Sequence, residues 1–140
     1  MAGGRAGGRL ATNAAGVLLR GTNLRTGRVV PTVEFSRTRA PNIGNNFDNA
    51  VANGAPTRLN RTTTRQRDRN RRDALRGQPP AGPGQSLDEY PFASSSQGGS
   101  NSRVAPVPVA EQNYQGGVLS SFYQRHGIKP GDPYDVRFVP

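Results

Sequence analysis

Two short strings of sequence decide the fold, DEYPFA at residues 88–93 and EQNYQGG at residues 111–117. In the first string aromatic residues alternate with smaller ones, which is typical of a short, half-buried strand. A Ser/Gly-rich turn that we expect to be flexible follows at residues 94–102, and residues 103–109 form a returning strand that two prolines keep irregular. The second string opens a helix that we place at residues 116–124. Strand, turn, strand and helix in this order predict a ββα unit within an α+β fold.

Four further elements are predicted outside these strings. Val29–Phe35 favours a strand, and Asn42–Asn53 carries apolar residues at helical spacing before a Gly and a Pro that stop it. Thr64–Arg76 is the most charged segment and predicts a helix capped by the glycine behind it. Tyr134–Val139 ends the chain as a strand with its apolar side chains on one face.

The composition limits the chain to one small domain. Hydrophobic residues make up 32% of the 140 residues, and 18 Gly and 12 Pro leave much of the chain to loops around a thin core. Residues 1–27 are Gly-rich and intermittently basic, so we expect an irregular tail or linker there. The folded domain is predicted at residues 28–140.

The net charge of +10 predicts a polyanionic partner. All of the basic residues except Lys129 are arginines, which favours planar, bidentate contact with phosphate. The alternative is a partly disordered Arg/Gly segment of a structural protein, which would show no cooperative unfolding.

Several kinds of site are excluded. Without cysteine there is neither a disulfide nor a Cys-based zinc site, and the one histidine, His126, lies in a loop where we expect it at the surface. No apolar run reaches transmembrane length, and residues 1–9 do not have the pattern of a secretion signal. We therefore expect no membrane contact, and either a fragment of a longer protein or an export route that the sequence does not display.

The charged helix carries a stripe of arginines. At about 100° per residue, four of them fall within about 60° of one another: Arg65, Arg69, Arg72 and Arg76. Such a stripe can anchor a phosphate backbone without recognising its sequence. The alternative is a solvated helix face that is partly neutralised by the two aspartates of the same helix.

Side-chain oxygens cluster in both deciding strings. Asp88 and Glu89 are adjacent, and on a regular strand they point to opposite sides. We therefore rank Asp88 first as a catalytic residue and Glu89 second, as an acidic or structural residue. Glu111, Asn113 and Gln115 supply the carboxylate and amide oxygens that suit Mg²⁺, with Mn²⁺ as a second candidate. Capping of the following helix is the alternative role for these three residues.

The strings also resemble a known family. DEYPFA, then Gly98-Gly99, then a Val/Pro-rich strand and N-x-Q-G-G are similar to the NucA/NucB family of small bacterial deoxyribonucleases, which are ββα-metal non-specific endonucleases. RRDALRG at residues 71–77, followed by a Pro-rich loop, matches the spacing of the family's basic helix. The resemblance covers roughly residues 35–139.

The resemblance implies particular roles. Asp88 matches the aspartate that replaces the histidine base of related nucleases, and Asn113 matches the metal-binding asparagine of the fold. Family members commonly carry cysteines around the first string, and this chain has serines there. Where some members have an arginine, this chain has Leu87, so a cation for the transition state would come from Arg103 or Arg72.

The sequence thus predicts a metal-dependent, sequence-non-specific endonuclease that acts on DNA, with RNA as a further candidate substrate. We expect a monomer that works outside the cell that makes it, either secreted or as the toxin domain of a delivered protein with an immunity protein as partner. The main alternative is a non-catalytic basic nucleic-acid-binding protein that uses the same arginines and no metal.

Overall fold

The computed structural model describes residues 21–140. The chain divides into two compact units, residues 1–31 and 32–140. Most of the predicted tail, residues 1–27, therefore lies outside the described residues. The described end of the first unit is a tight turn in which the Val30 N–H donates to the Gly21 carbonyl at 2.8 Å.

The second unit is described throughout and has five strands and three helices. In chain order they are β1 (Thr32–Ser36), α1 (Pro41–Ala52), β2 (Arg58–Asn60), α2 (Thr64–Leu75), β3 (Gln85–Tyr90), β4 (Arg103–Pro108), α3 (Val109–Arg125) and β5 (Pro133–Val139). The short β2 is the one element for which the sequence offered no signal. The α+β prediction is confirmed.

Three strands form the first sheet, in the order β1-β5-β2. β1 runs parallel to β5, with Phe35 beside Phe138, and β2 runs antiparallel to β5, with Leu59 beside Tyr134. These four side chains are buried, because alternate residues of each strand face the core.

The second sheet is the hairpin of β3 and β4, which places Asp88 opposite Ala105. α3 begins at the residue after β4, so the predicted ββα order is present. Aromatic rings join the hairpin to the first sheet. The Phe47 ring of α1 lies 4.8 Å from the rings of both Tyr90 and Phe138, centre to centre, which fixes α1 between the two sheets.

The start of α3 differs from the prediction by seven residues. The predicted helix began at Gly116, whereas the helix begins at Val109, directly after Pro108. Gly116 and Gly117 lie inside it, where each costs about 1 kcal/mol relative to alanine, and the helix-forming residues on both sides outweigh that cost. The whole EQNYQGG string is therefore helical, so its residues point to different sides of one helix.

The loop between β3 and β4 also differs from the prediction, because hydrogen bonds hold it in place. Ser95 Oγ donates to the Phe92 carbonyl at 2.8 Å, and Asn70 Nδ2 of α2 donates to the Ser95 carbonyl at 3.0 Å. Gly98 fits closely enough that a Cβ there would lie 2.3 Å from the Phe92 carbonyl oxygen. We predicted flexibility from the composition of this loop, and composition does not reveal these hydrogen-bond partners.

Candidate functional site

β3 presents its two acidic residues to opposite faces of the hairpin, as the strand period requires. Asp88 contacts α1 through Asn46, and Glu89 contacts α2 through Arg71. Both side chains are buried, with residue exposures of 1% for Asp88 and 6% for Glu89. The adjacent carboxylates therefore belong to two different environments.

Asp88 lies in a polar, enclosed setting. Asn46 Nδ2 donates to Asp88 Oδ2 at 3.0 Å, and it also donates to the Arg103 carbonyl of β4 at 3.1 Å. The other carboxylate oxygen, Oδ1, has no hydrogen bond of ordinary geometry to any residue in the range 21–140. A buried acceptor that lacks a protein donor is costly to keep, so its presence favours a functional role.

Burial raises the pKa of Asp88 to about 6. Asn46, the Gln115 side chain and the backbone N–H of Glu89 act in the opposite direction and lower this pKa, because each favours the charged carboxylate. The negative charge of Glu111 raises it further. These effects require Gln115 and Glu111 to lie near Asp88.

Gln115 and Glu111 share one face of α3, because residues four apart differ by about 40° around a helix. Both are buried on the side of the helix that faces the domain interior. The Glu111 carboxylate also caps α1: its Oε1 accepts the backbone N–H groups of Asn42 at 2.9 Å and Ile43 at 3.1 Å. Glu111 thereby ties the helix that carries Asn46 to the helix that carries Gln115.

Asn113 lies elsewhere on α3. It is about 160° around the helix from Gln115, and its side chain is exposed. The structure therefore brings Asp88 together with Glu111 and Gln115, and it does not bring Asn113 to them. Because the predicted helix started too late, the prediction did not separate the two amides. The metal-binding role predicted for Asn113 is untested, and the geometry favours Gln115.

Glu89 forms an ion pair with Arg71 on the other face of the hairpin. Burial raises the pKa of Glu89 to about 7, and the Arg71 guanidinium acts against this rise. Glu89 Oε1 is buried without a hydrogen bond from the described part of the chain. The contact fastens α2 to β3 and uses an arginine that the predicted stripe did not include.

The predicted stripe is exposed along its whole length on α2: Arg65, Arg69, Arg72 and Arg76. Arg76 pairs with Asp73 at 3.2 Å, and Arg69 donates to the Gln66 side chain at 2.7 Å. Arg65 and Arg72 make no ion pair within residues 21–140, so their charges are available to a ligand. Arg103 on β4 is exposed as well.

His126 is exposed at the end of α3, as predicted. Asn46 is the residue that the sequence interpretation missed. A signal for it was present, because Asn46 falls on the buried face of α1 with Ile43 and Ala50, where a polar side chain needs a partner.

In a comparison with protein-family models, residues 33–137 match the family "Deoxyribonuclease NucA/NucB". The chain belongs to this family. It is therefore a deoxyribonuclease, and DNA is its substrate. Among individually curated proteins, none matches the chain.

The residues of the deoxyribonuclease that match the family all lie in the second unit, which contains β3, β4 and α3. In residues 21–140 no group of three or more His, Cys, Asp or Glu side chains could hold a metal ion, and no helix is long and apolar enough to cross a membrane.

Proposed function

We propose that this deoxyribonuclease is a metal-dependent endonuclease that cuts DNA without regard to sequence. The observation that supports this most directly is the carboxylate of Asp88. It is buried and has one oxygen without a protein donor, and it lies beside the oxygen-bearing face of α3 formed by Glu111 and Gln115.

Asp88 is the general base in this proposal. Its free Oδ1 would accept a proton from the water that attacks the scissile phosphate. A carboxylate with its pKa near the ordinary 3.8 is a modest base, whereas burial brings the pKa of Asp88 to about 6. That value lies closer to neutral pH, so the ionised form is still populated and binds a proton more strongly.

Asn46 is a positioning residue. Its amide donates to Asp88 and to the backbone of β4 at once, so it fixes the carboxylate relative to the hairpin. Asn46 contacts Oδ2 and leaves Oδ1, the oxygen that would accept the proton, without a hydrogen bond from this amide. This role needs a side-chain donor, because an apolar side chain would remove one hydrogen bond from each of the two acceptors.

Glu111 and Gln115 would hold the divalent ion. The donor set of one carboxylate, one amide oxygen and water fits Mg²⁺ or Mn²⁺, both of which prefer oxygen ligands and keep part of their hydration. The amide oxygen of Asn46 is buried without a donor in the described residues and is a further ligand within the same cluster. When bound, the ion would offset the negative charge that develops on the phosphate.

The exposed arginines of α2 and Arg103 would bind the DNA backbone. Contacts to phosphates carry no sequence information, which is the physical basis for proposing non-specific cutting. The same contacts are available in RNA, so we propose RNA as a second, weaker substrate. We propose that the enzyme acts as a monomer.

We also propose that the enzyme works outside the cell that makes it, as a secreted nuclease or as the toxin domain of a delivered protein. An unrestrained non-specific nuclease would damage the DNA of its producer. An inhibitor with an acidic surface, serving as immunity protein, would match the exposed arginines.

The test is nicking of supercoiled plasmid with Mg²⁺, with Mn²⁺ and with a chelator. Wild-type protein should nick with either ion and stop on chelation. Asp88→Asn should lose cutting and retain DNA affinity, while Asp68→Asn, which changes an exposed carboxylate on α2, should cut normally. Full cutting in the presence of chelator would remove the metal from the proposal, and an active Asp88→Asn protein would remove the assigned base.

A further inference from the structure

A cleft of the second unit begins at Ala50, one turn of α1 after Asn46, the residue that contacts the proposed base Asp88. It has a volume of about 530 Å³ and lies between the C-terminal half of α1, the ends of β3 and β4, and the loop that joins these strands. We call it the α1 cleft and define it by these lining residues: Ala50, Asn53, Pro56, Pro91, Asn101 and Arg103. Its volume is in the range of small-ligand sites.

The α1 cleft is continuous with the surroundings of Asp88. Asn46, Ala50 and Asn53 follow one another at intervals of four and three residues, so they lie on one face of α1. The first contacts Asp88, and the other two line the cleft. Asn46 also donates to the carbonyl of Arg103, a residue that lines the cleft. A ligand in the cleft would therefore lie beside the phosphate on which Asp88 acts.

The cleft has the chemical groups that a nucleotide needs. The exposed guanidinium of Arg103 has no partner within residues 21–140 and can bind a phosphate. The Asn101 amide is also exposed and makes no hydrogen bond with the described residues, so it can pair with the edge of a base. Pro56 is exposed among the lining residues and provides an apolar surface for the flat face of the base.

The walls of the cleft are held in place before any ligand binds. The Tyr90 hydroxyl donates to the Pro56 carbonyl at 2.7 Å, which joins β3 to the segment after α1. Gln97 exchanges two hydrogen bonds with Asn60 of β2, at 2.9 and 3.0 Å. A preformed cleft loses little conformational freedom when it is filled, and this favours binding of a small unit.

We infer that the α1 cleft binds one unpaired nucleotide of the DNA strand, next to the phosphate that is cleaved. The inference rests on the proposed function and adds a preference for unpaired DNA. Within a duplex a base is stacked and paired, so it can enter a cavity only after it has left the stack, which costs energy. Single-stranded or distorted DNA avoids this cost and should be cut faster.

The first experiment measures binding without cleavage. Isotope-labelled protein is titrated with the four deoxynucleoside 5′-monophosphates in the presence of chelator, and the side-chain NH₂ signals are followed by NMR. The signals of Asn53 and Asn101 should shift and saturate, while those of Asn45, an exposed asparagine on α1 outside the cleft, should not. Absence of any shift at Asn53 and Asn101 would overturn the inference, even if the protein cleaves plasmid.

The second experiment measures selectivity. The cleavage rates of one labelled oligonucleotide, single-stranded and annealed to its complement, are compared in wild type, Asn101→Ala and Asn45→Ala. Wild type should prefer the single strand, Asn101→Ala should reduce that preference about tenfold, and Asn45→Ala should leave it unchanged. An unchanged preference in Asn101→Ala would contradict the inference. NMR shifts in a protein that cuts nothing would retain the cleft as a nucleotide site and reject the proposed function.

Discussion

Replacing Asp88 by asparagine should make the protein more stable while it removes activity. The free energy of unfolding follows from the pKa of the carboxyl group in the two states. Burial raises the pKa from 3.8 to about 6 in the folded protein. A folded pKa above the unfolded one means that the protonated group favours folding below pH 4, and that this contribution is lost as the pH rises through 6.

The size of the effect can be worked from this difference of about two pKa units. At 1.36 kcal/mol per unit, keeping the ionised Asp88 side chain buried costs about 3 kcal/mol at pH 8. Asparagine has the same shape, can still accept from Asn46 and carries no charge. Asp88→Asn should therefore raise the unfolding free energy by about 3 kcal/mol at pH 8 and by only about 0.5 kcal/mol at pH 4.

Urea unfolding in chelator at several pH values measures this difference without a contribution from bound ions. Asp68→Asn is the control, because its carboxylate is exposed and pairs with Arg67 at the surface. Its effect should be small and nearly independent of pH. The reasoning is refuted if Asp88→Asn is no more stable than wild type at pH 8, or if its gain is as large at pH 4 as at pH 8.

Three further predictions use other parts of the molecule. Gly98→Ala should lower the unfolding free energy by about 2 kcal/mol or more, because its Cβ would lie 2.3 Å from a backbone oxygen. Gly116→Ala should raise the unfolding free energy by about 1 kcal/mol, because a Cβ on this residue of α3 would meet no other atom. Urea unfolding measures both changes. Arg72→Gln should weaken DNA binding and reduce the slope of log affinity against log salt by about 1, whereas Arg67→Gln, already paired with a neighbouring aspartate, should leave the slope unchanged. Asn46→Ala removes a hydrogen bond that lowers the pKa of the base, so the acidic limb of the pH–rate profile should move to higher pH; an unmoved limb would argue against its positioning role.

Most of the fold could be predicted because its elements have strong local signals. Apolar residues at helical spacing, followed by a glycine, located α1. At the start of α2, Thr63 caps the helix by accepting the Gln66 N–H at 3.1 Å. The short β2 has no such signal, since its three residues are held in place by their pairing with β5 and by the hydrogen bonds between Asn60 and Gln97. Pairing partners that are distant in sequence are not visible in local patterns.

The candidate site could be predicted only in part. Asp88 was identified from the first string, and the structure gives it the burial that a raised pKa requires. Which of the two amides faces Asp88, that of Asn113 or that of Gln115, depends on where α3 begins. The Gly-Gly pair led to a predicted start at Gly116 instead of Val109. The contact of Glu89 with Arg71 joins residues 18 positions apart, and only the packing of α2 on the hairpin produces it.

Manganese binding to two alanine variants of α3 tests the central claim most directly. Gln115 and Asn113 have the same amide chemistry on opposite faces of one helix, so the pair separates a site beside Asp88 from one on the exposed face. Electron paramagnetic resonance of Mn²⁺ titrated into folded wild type, Gln115→Ala and Asn113→Ala gives the affinities. The account predicts that Gln115→Ala weakens Mn²⁺ binding about tenfold or more and that Asn113→Ala has no effect. Loss of binding in Asn113→Ala with normal binding in Gln115→Ala would contradict it.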